Sequence, residues 1–225
     1  MNSVNLDKYS DPFFLGETKE ELRRIRQDFH VHPEIGLVTP RTSRIIADLL
    51  KDYGVDEVHE GVGGDGVVGV IYGKLPGEAS VGLRADIDAL PLKELSNHDH
   101  VSQVEGAMHA CGHDGHAAAL LGAAKKLASE RNFGGKVVLV FQPGEEGWSG
   151  AKHMMEDGLF ERFPMQEIYA FHNSSAIEPR SNAGGCRRIY DRRKGQGRPC
   201  FSTELEPRSC DCSSTHYLGT PNNCV

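Results

Sequence analysis

Two N-terminal stretches carry apolar residues at helical spacing. Leu22, Ile25 and Phe29 form one stripe, and Thr18 with Glu21 in front of it fits a capping box. The spacing predicts a helix over Lys19–Val31 that stops at His32-Pro33-Glu34. Ile45, Ile46, Leu49 and Leu50 form a second stripe, with Thr39 as N-cap, Pro40 at the first position and Gly54 past the end. The period then changes. Val67–Tyr72 is a β-branched run and predicts a strand. After a turn at Leu75-Pro76-Gly77-Glu78, Val81–Arg84 predicts another, so the two read as a hairpin or an adjacent pair. Asn97–Gly106 reads as a loop. Ala117–Ser129, rich in Ala and Leu, predicts a helix, and Lys136–Phe141 a buried strand. Ser149–Asp157 looks helical, closed by Gly158, and Glu167–Phe171 is a last strand.

Alternating strands and helices argue for an α/β fold, a layered sheet flanked by helices. The polar clusters follow the strands: Asp86 after the second, Glu145-Glu146 after the third, His172 after the fourth. In open α/β sheets ligands bind beyond the carboxyl ends of strands. Residues distant in sequence therefore converge on one crevice.

The densest polar cluster is Met108–His116, M-H-A-C-G-H-D-G-H. It places three of the eleven histidines, a cysteine, an aspartate and two glycines in nine residues. Thiolate, imidazole and carboxylate are the protein groups that bind a borderline transition metal. Cys111 and His113 are two apart and can face one centre from a loop, and Glu146 and His172 complete a mixed N/S/O shell. Such a shell suits zinc, manganese, cobalt or nickel. Glu145-Glu146 at a strand-to-turn junction lets one carboxylate bind metal while the other stays free to take a proton from water, an arrangement for hydrolysis. Asp86 and Asp88 have two readings, as carboxylates that orient a ligand histidine or as caps of the following turn. His30 and His32 sit where a helix C-terminal dipole favours histidine. His59, His98, His100, His153 and His216 read as surface residues, and His109 stays unassigned.

Composition narrows the class. The chain has 225 residues, 38% of them hydrophobic, and a net charge of −7, which gives a nucleic-acid role no electrostatic support. No apolar run approaches the ~18 residues of a membrane span. The start, M-N-S-V-N-L-D-K, lacks the basic and apolar regions of a signal peptide, so a cytoplasmic location is expected. One cysteine, Cys111, precedes residue 186, and five follow: Cys186, Cys200, Cys210, Cys212 and Cys224. That is a break in composition rather than a disulfide scaffold.

F-H-V-H-P-E, L-R-A-D-I-D-A-L-P, M-H-A-C-G-H-D-G-H, F-Q-P-G-E-E-G and A-F-H-N resemble, in order and rough spacing, the M20 family of metallo-amidohydrolases. The branch in question contains hippurate hydrolases, N-acyl-amino-acid deacylases and indole-acetyl-amino-acid hydrolases. The match covers roughly Leu22 to Asn173. The resemblance implies a zinc-exopeptidase-like catalytic domain with two divalent metal ions. It implies Cys111 as their bridge, His113, Glu146 and His172 as ligands, Glu145 as general base, and Asp86 steadying a ligand or the bridge. It implies a metal-dependent amidohydrolase or deacylase, hydrolysing small-molecule N-acyl amino acids in a family that is usually homodimeric. Neither a nucleic-acid nor a membrane partner is expected.

The resemblance stops near Asn173. Residues 1–173 read as the N-terminal part of the catalytic domain. Residues 174–225 read as an irregular, aberrant or disordered tail in place of the lid and dimerisation domain, which leaves the fold incomplete. Codons can be chosen for Cys186–Phe201 so that a one-base shift reads A-E-E-F-M-I-E-G-K-G-K-G-G-H-A-S, a family-like segment. A truncated, frameshifted product is therefore expected, with a genuine short C-terminus as the other reading. The corresponding functional alternative is an inactive remnant that binds metal without turnover.

Overall fold

The computed structural model describes residues 11–173 and a strand at 187–191. A short 3-10 turn, Pro12–Phe14, leads into α1 (Glu17–Val31) and α2 (Pro40–Asp52). Then come β1 (Glu57–Glu60), β2 (Val67–Tyr72), β3 (Leu75–Asp86), α3 (His113–Glu130) and β4 (Gly134–Gln142). The helices α4 (Gly150–Glu156) and α5 (Leu159–Arg162) precede β5 (Glu167–Ala170) and β6 (Arg187–Asp191). The strands form one sheet in the order β1-β2-β4-β3-β5-β6. β4 and β5 run parallel to β3, and β1, β2 and β6 pair antiparallel at the flanks.

Both faces of the sheet are covered, which explains the continuous apolar runs of β2 and β4. Side chains alternate across a strand. Val67, Ile71, Leu139 and Phe141 pack with Phe29 of α1, Ile46 and Leu50 of α2 and Leu121 of α3. Val68, Val70, Val138 and Val140 pack on the opposite face with Met154 of α4, Leu159 of α5, and Phe163 and Met165. Phe141 is fully buried, so its truncation to alanine costs about 3–5 kcal/mol. The central strands are thus fixed from both sides, and so are the loops that leave their ends.

Several local expectations are corrected. α1 begins at Glu17 after Gly16, with no side-chain cap, so Thr18 lies inside the helix. Thr39 precedes α2 without a side-chain cap of its own. Instead Glu34 accepts the backbone N–H groups of Arg41 and Thr42 at 3.1 and 2.7 Å, a cap supplied from outside the helix. β2 and β3 are not adjacent, because β4 lies between them. Leu75–Glu78 belongs to β3, where the register slips between Leu75 and Ser80 instead of forming a free-standing turn. In the C-terminal region expected to be irregular, residues 187–191 extend the sheet along β5. The rest of the expectation for that region lies outside the described residues.

Register sets the position of the site. Asp86 at the end of β3 pairs with Gln142 at the end of β4, and Arg84 pairs with Ala170 at the end of β5. Glu145-Glu146 and His172 therefore emerge beside Asp86. The M-H-A-C-G-H segment is held to the same end, because Leu90 and Met108 exchange two backbone hydrogen bonds of 3.0 Å.

Candidate active site at the strand ends

His113, the first residue of α3, is the hub, and its side chain is 1% exposed. Its Nδ1 lies 2.8 Å from the Asp88 carbonyl oxygen. A carbonyl only accepts, so Nδ1 carries the proton and donates. Nε2 is left facing three carboxylates: Asp86 Oδ2 at 3.6 Å, Glu146 Oε1 at 3.7 Å and Glu145 Oε2 at 3.8 Å. Neither Nε2 nor Glu146 Oε1 has a hydrogen-bond partner, although both atoms are buried. Leaving such groups unpaired costs about 1–3 kcal/mol each. Burial pushes the His113 pKa down, but Asp88, Cys111 and Asp86 outweigh it and raise it to about 11.

Cys111 and His172 form the second edge. Sγ lies 3.3 Å from His172 Nε2, and His172 Nδ1 donates to the Asn173 carbonyl at 2.5 Å. His113 and His172 thus share one device: a backbone carbonyl holds the Nδ1 proton and leaves Nε2 turned toward the cluster. Gly112 joins the two edges. Its φ is +86°, and an added Cβ would lie 2.6 Å from the Asn173 side chain.

The carboxylates differ in their supports. Asp86 is buried, accepts from His116 Nδ1 at 2.6 Å and pairs with Arg84 at 2.7 Å. Burial alone would raise its pKa, but the Arg84 charge and the His116 hydrogen bond hold it well below the usual carboxylate range. Asp88 accepts the backbone N–H groups of Glu145 and Glu146, each at 3.0 Å, and so fixes the loop that carries both glutamates. For Glu145 burial and then the Asp86 charge raise the pKa, so this carboxylate has more affinity for a proton than a free one.

All six residues named from the sequence, Asp86, Cys111, His113, Glu145, Glu146 and His172, meet at this end of the sheet. The donor types and the groups Cys111/His113/His172, Asp86/His113/His116 and His113/Glu145/Glu146 fit one or more divalent cations. The unpartnered His113 Nε2 and Glu146 Oε1 support that fit. Sequence reasoning did not assign the parts of His116, Arg84 and Asn173. The H-D-G-H spacing, one helical turn from His113, was the available signal for His116. The open choice for Asp86 and Asp88 resolves differently for each. Asp86 bonds a histidine, whereas Asp88 caps the loop with its carboxylate and orients His113 through its carbonyl. His32 bonds the Asp28 carbonyl at the end of α1, as the helix-terminus reading expects. His30 does not: it is buried between Asp114 and Glu94. His98 and His100 pack against His30 instead of standing free, His59 packs on Phe163, and His153 is exposed. His216 lies outside the described residues.

A family model of "Peptidase family M20/M25/M40" matches residues 82–199, more than half of the chain. The hippurate hydrolase of Campylobacter jejuni is 50% identical over 153 residues, covering 68% of this chain and 39% of that protein. An IAA-amino acid hydrolase (ILR1-like 2) of Arabidopsis thaliana is 44% identical over 156 residues, covering 68% of this chain and 34% of that one. The chain thus spans about two fifths or less of the length of these relatives. A crystal structure of a dinuclear metal binding peptidase from the M20 family of Bacillus subtilis superposes with a TM-score of 0.64 at 36% identity, covering 69% of this chain and 43% of that one. Among the described residues no helix is long and apolar enough to cross a membrane. The strand-end site and the match around it lead to one assignment: the chain belongs to peptidase family M20/M25/M40.

Proposed function

We propose that this chain carries the first part of a metal-dependent amidohydrolase centre that cleaves the amide bond of N-acyl amino acids, hippurate-like or N-acetylated. The observation that carries the reading is the buried, unpartnered Nε2 of His113 facing Asp86, Glu145 and Glu146 at 3.6–3.8 Å. In this reading Cys111, His113, Glu146 and His172 would hold the divalent ions, two by family resemblance, and zinc, manganese, cobalt and nickel all suit the donors. When bound, the ions supply Lewis acidity to the amide carbonyl and to water.

The chain's own residues account for the remaining chemistry. Glu145 Oε2 takes a proton from the attacking water as the new C–O bond forms, then delivers it to the amide nitrogen as the C–N bond breaks. Asp86 holds His116 in one orientation and sets a fixed negative charge beside His113. Asp88 keeps the Glu145-Glu146 loop in register with both. Trp148 and Phe171, exposed large apolar side chains close in sequence to Glu146 and His172, support an apolar acyl group in the substrate.

The test is release of free amino acid from hippurate and N-acetyl amino acids by the purified chain with manganese or zinc. Release that Glu145→Ala abolishes supports the reading. Metal uptake with no release from any such substrate refutes hydrolysis by this chain, and release that survives Glu145→Ala refutes the role given to Glu145.

A further inference from the structure

A second cluster of ligand-type side chains lies outside the strand-end crevice. Glu94 Oε1 is approached by His30 Nε2 at 3.2 Å, His98 Nε2 at 3.1 Å and Ser96 Oγ at 2.5 Å. The other Glu94 oxygen accepts the Ser102 backbone N–H at 2.6 Å, so the carboxylate is fixed in place. His30 Nδ1 sits 2.8 Å from Asp114 Oδ2. A carboxylate holding one imidazole N–H turns the opposite nitrogen outward and raises its basicity, the usual outer partner of a metal-binding histidine. His98 is held differently: its ring stacks on His100, with centroids 4.0 Å apart and planes 17° apart. Its Nδ1 is buried without a partner.

The separations have a chemical meaning. In a tetrahedral zinc site with bonds of about 2.0–2.1 Å, neighbouring ligand atoms lie roughly 3.3 Å apart. The two histidine-to-glutamate separations, 3.2 and 3.1 Å, are close to such edges. All three donor atoms lie within 4.8 Å of one another. The His30 and Glu94 side chains are 6% and 2% exposed, whereas that of His98 is 37% exposed. One side of the cluster is therefore dry and preformed, and the other admits an ion from solvent.

We propose that His30, Glu94 and His98 form a second divalent-metal site for a zinc-class ion, with Ser96 Oγ or water as the fourth ligand. The site is separate from the strand-end crevice and shares none of its donors. Asp114, which bonds His30, follows His113 at the start of α3, so an ion here would brace the first turn of that helix.

The experiment uses the full chain and does not read hydrolysis, so it stands apart from the fate of the proposed activity. Zinc content per chain is measured at saturation for the wild type, His98→Asn and Glu146→Gln, and the cadmium-loaded proteins are compared by 113Cd NMR. His98→Asn is expected to lose one equivalent and one resonance that Glu146→Gln retains. Zinc content and spectra unchanged in His98→Asn overturn the proposal. On the wild type itself, zinc is expected to shift the Nε2 resonances of His30 and His98, and their indifference to zinc at saturation overturns it without any variant.

Discussion

The two histidine–carboxylate clusters lie on either side of the His113-Asp114 pair, and they differ in how their polar atoms are satisfied. At the strand ends, His113 Nε2 and Glu146 Oε1 are buried and bonded to nothing. Around Glu94, one carboxylate oxygen gathers two imidazoles and a hydroxyl, and the other takes a backbone N–H. The first cluster is unsatisfied as a set of hydrogen-bonding groups, so a cation completes it. In the second the donor atoms that face the site are already paired with one another through protons, which a cation has to displace, while His98 Nδ1 and Asp114 Oδ1 stay unpaired at its margin. Ligand-like residue types do not separate the two sites; what differs is whether the donor atoms turned toward the site are unpaired, as His113 Nε2 and Glu146 Oε1 are. The strand-end site is therefore expected to bind a divalent ion more tightly than the proposed site at Glu94.

Disabling one site and reading both separates the two clusters most clearly. Glu145→Ala is expected to lower amide hydrolysis by about 10²–10⁴-fold and to leave metal content unchanged, checked by turnover assay and elemental analysis. Equal losses of metal and activity would move Glu145 into the ligand set. Next in size, Asp86→Asn weakens the strand-end site about 10–100-fold without changing zinc uptake at His98, measured by competition with a chromogenic chelator. Third, Asp88→Ala leaves the N–H groups of Glu145 and Glu146 unpaired in a partly buried loop. A destabilisation of about 1–3 kcal/mol in urea unfolding is expected, together with slower hydrolysis.

The smallest effect belongs to a control away from both clusters. Asp56 accepts from Arg131 at 2.7 Å and from the Tyr72 N–H at 2.8 Å. Burial raises its pKa, but these partners outweigh it and leave it below the ordinary 3.8. A depressed carboxylate stabilises the fold above its unfolded pKa, and that contribution is lost as pH falls through the folded value. Asp56→Asn should therefore cost no more than about 1 kcal/mol at pH 6 and progressively less toward pH 3, by urea midpoint. A constant cost across that range would show that the charge is irrelevant.

Much of the site was legible because its residues sit where strands end, and strand ends are marked by abrupt changes from apolar to polar. Asp86, Glu145-Glu146 and His172 each follow such a change, and M-H-A-C-G-H-D-G-H is dense enough to stand out unaided. What failed to show depends on contacts between distant segments. The insertion of β4 between β2 and β3 is set by how three apolar runs pair, and each run fits several neighbours. Glu34 caps α2, and Asp88 caps the Glu145 loop, from 57 and 58 positions away in the latter case. No periodicity encodes such pairs. His98 and His100 read as surface residues because a polar loop hides which of its side chains folds back onto α1.

The register of the three parallel strands has a further consequence. Asp86, His113, Glu146 and His172 are far apart along the chain, and only the paired sheet puts them together. An ion bound there is in effect a reversible cross-link between the middle and the end of the described chain. The unfolded polypeptide offers it no comparable grip. At a free ion concentration of 100 times the dissociation constant, the folded state gains about 2.7 kcal/mol. The melting temperature should then climb with metal concentration and fall with a chelator, so the atoms proposed for the chemistry would also act as the clasp of the fold.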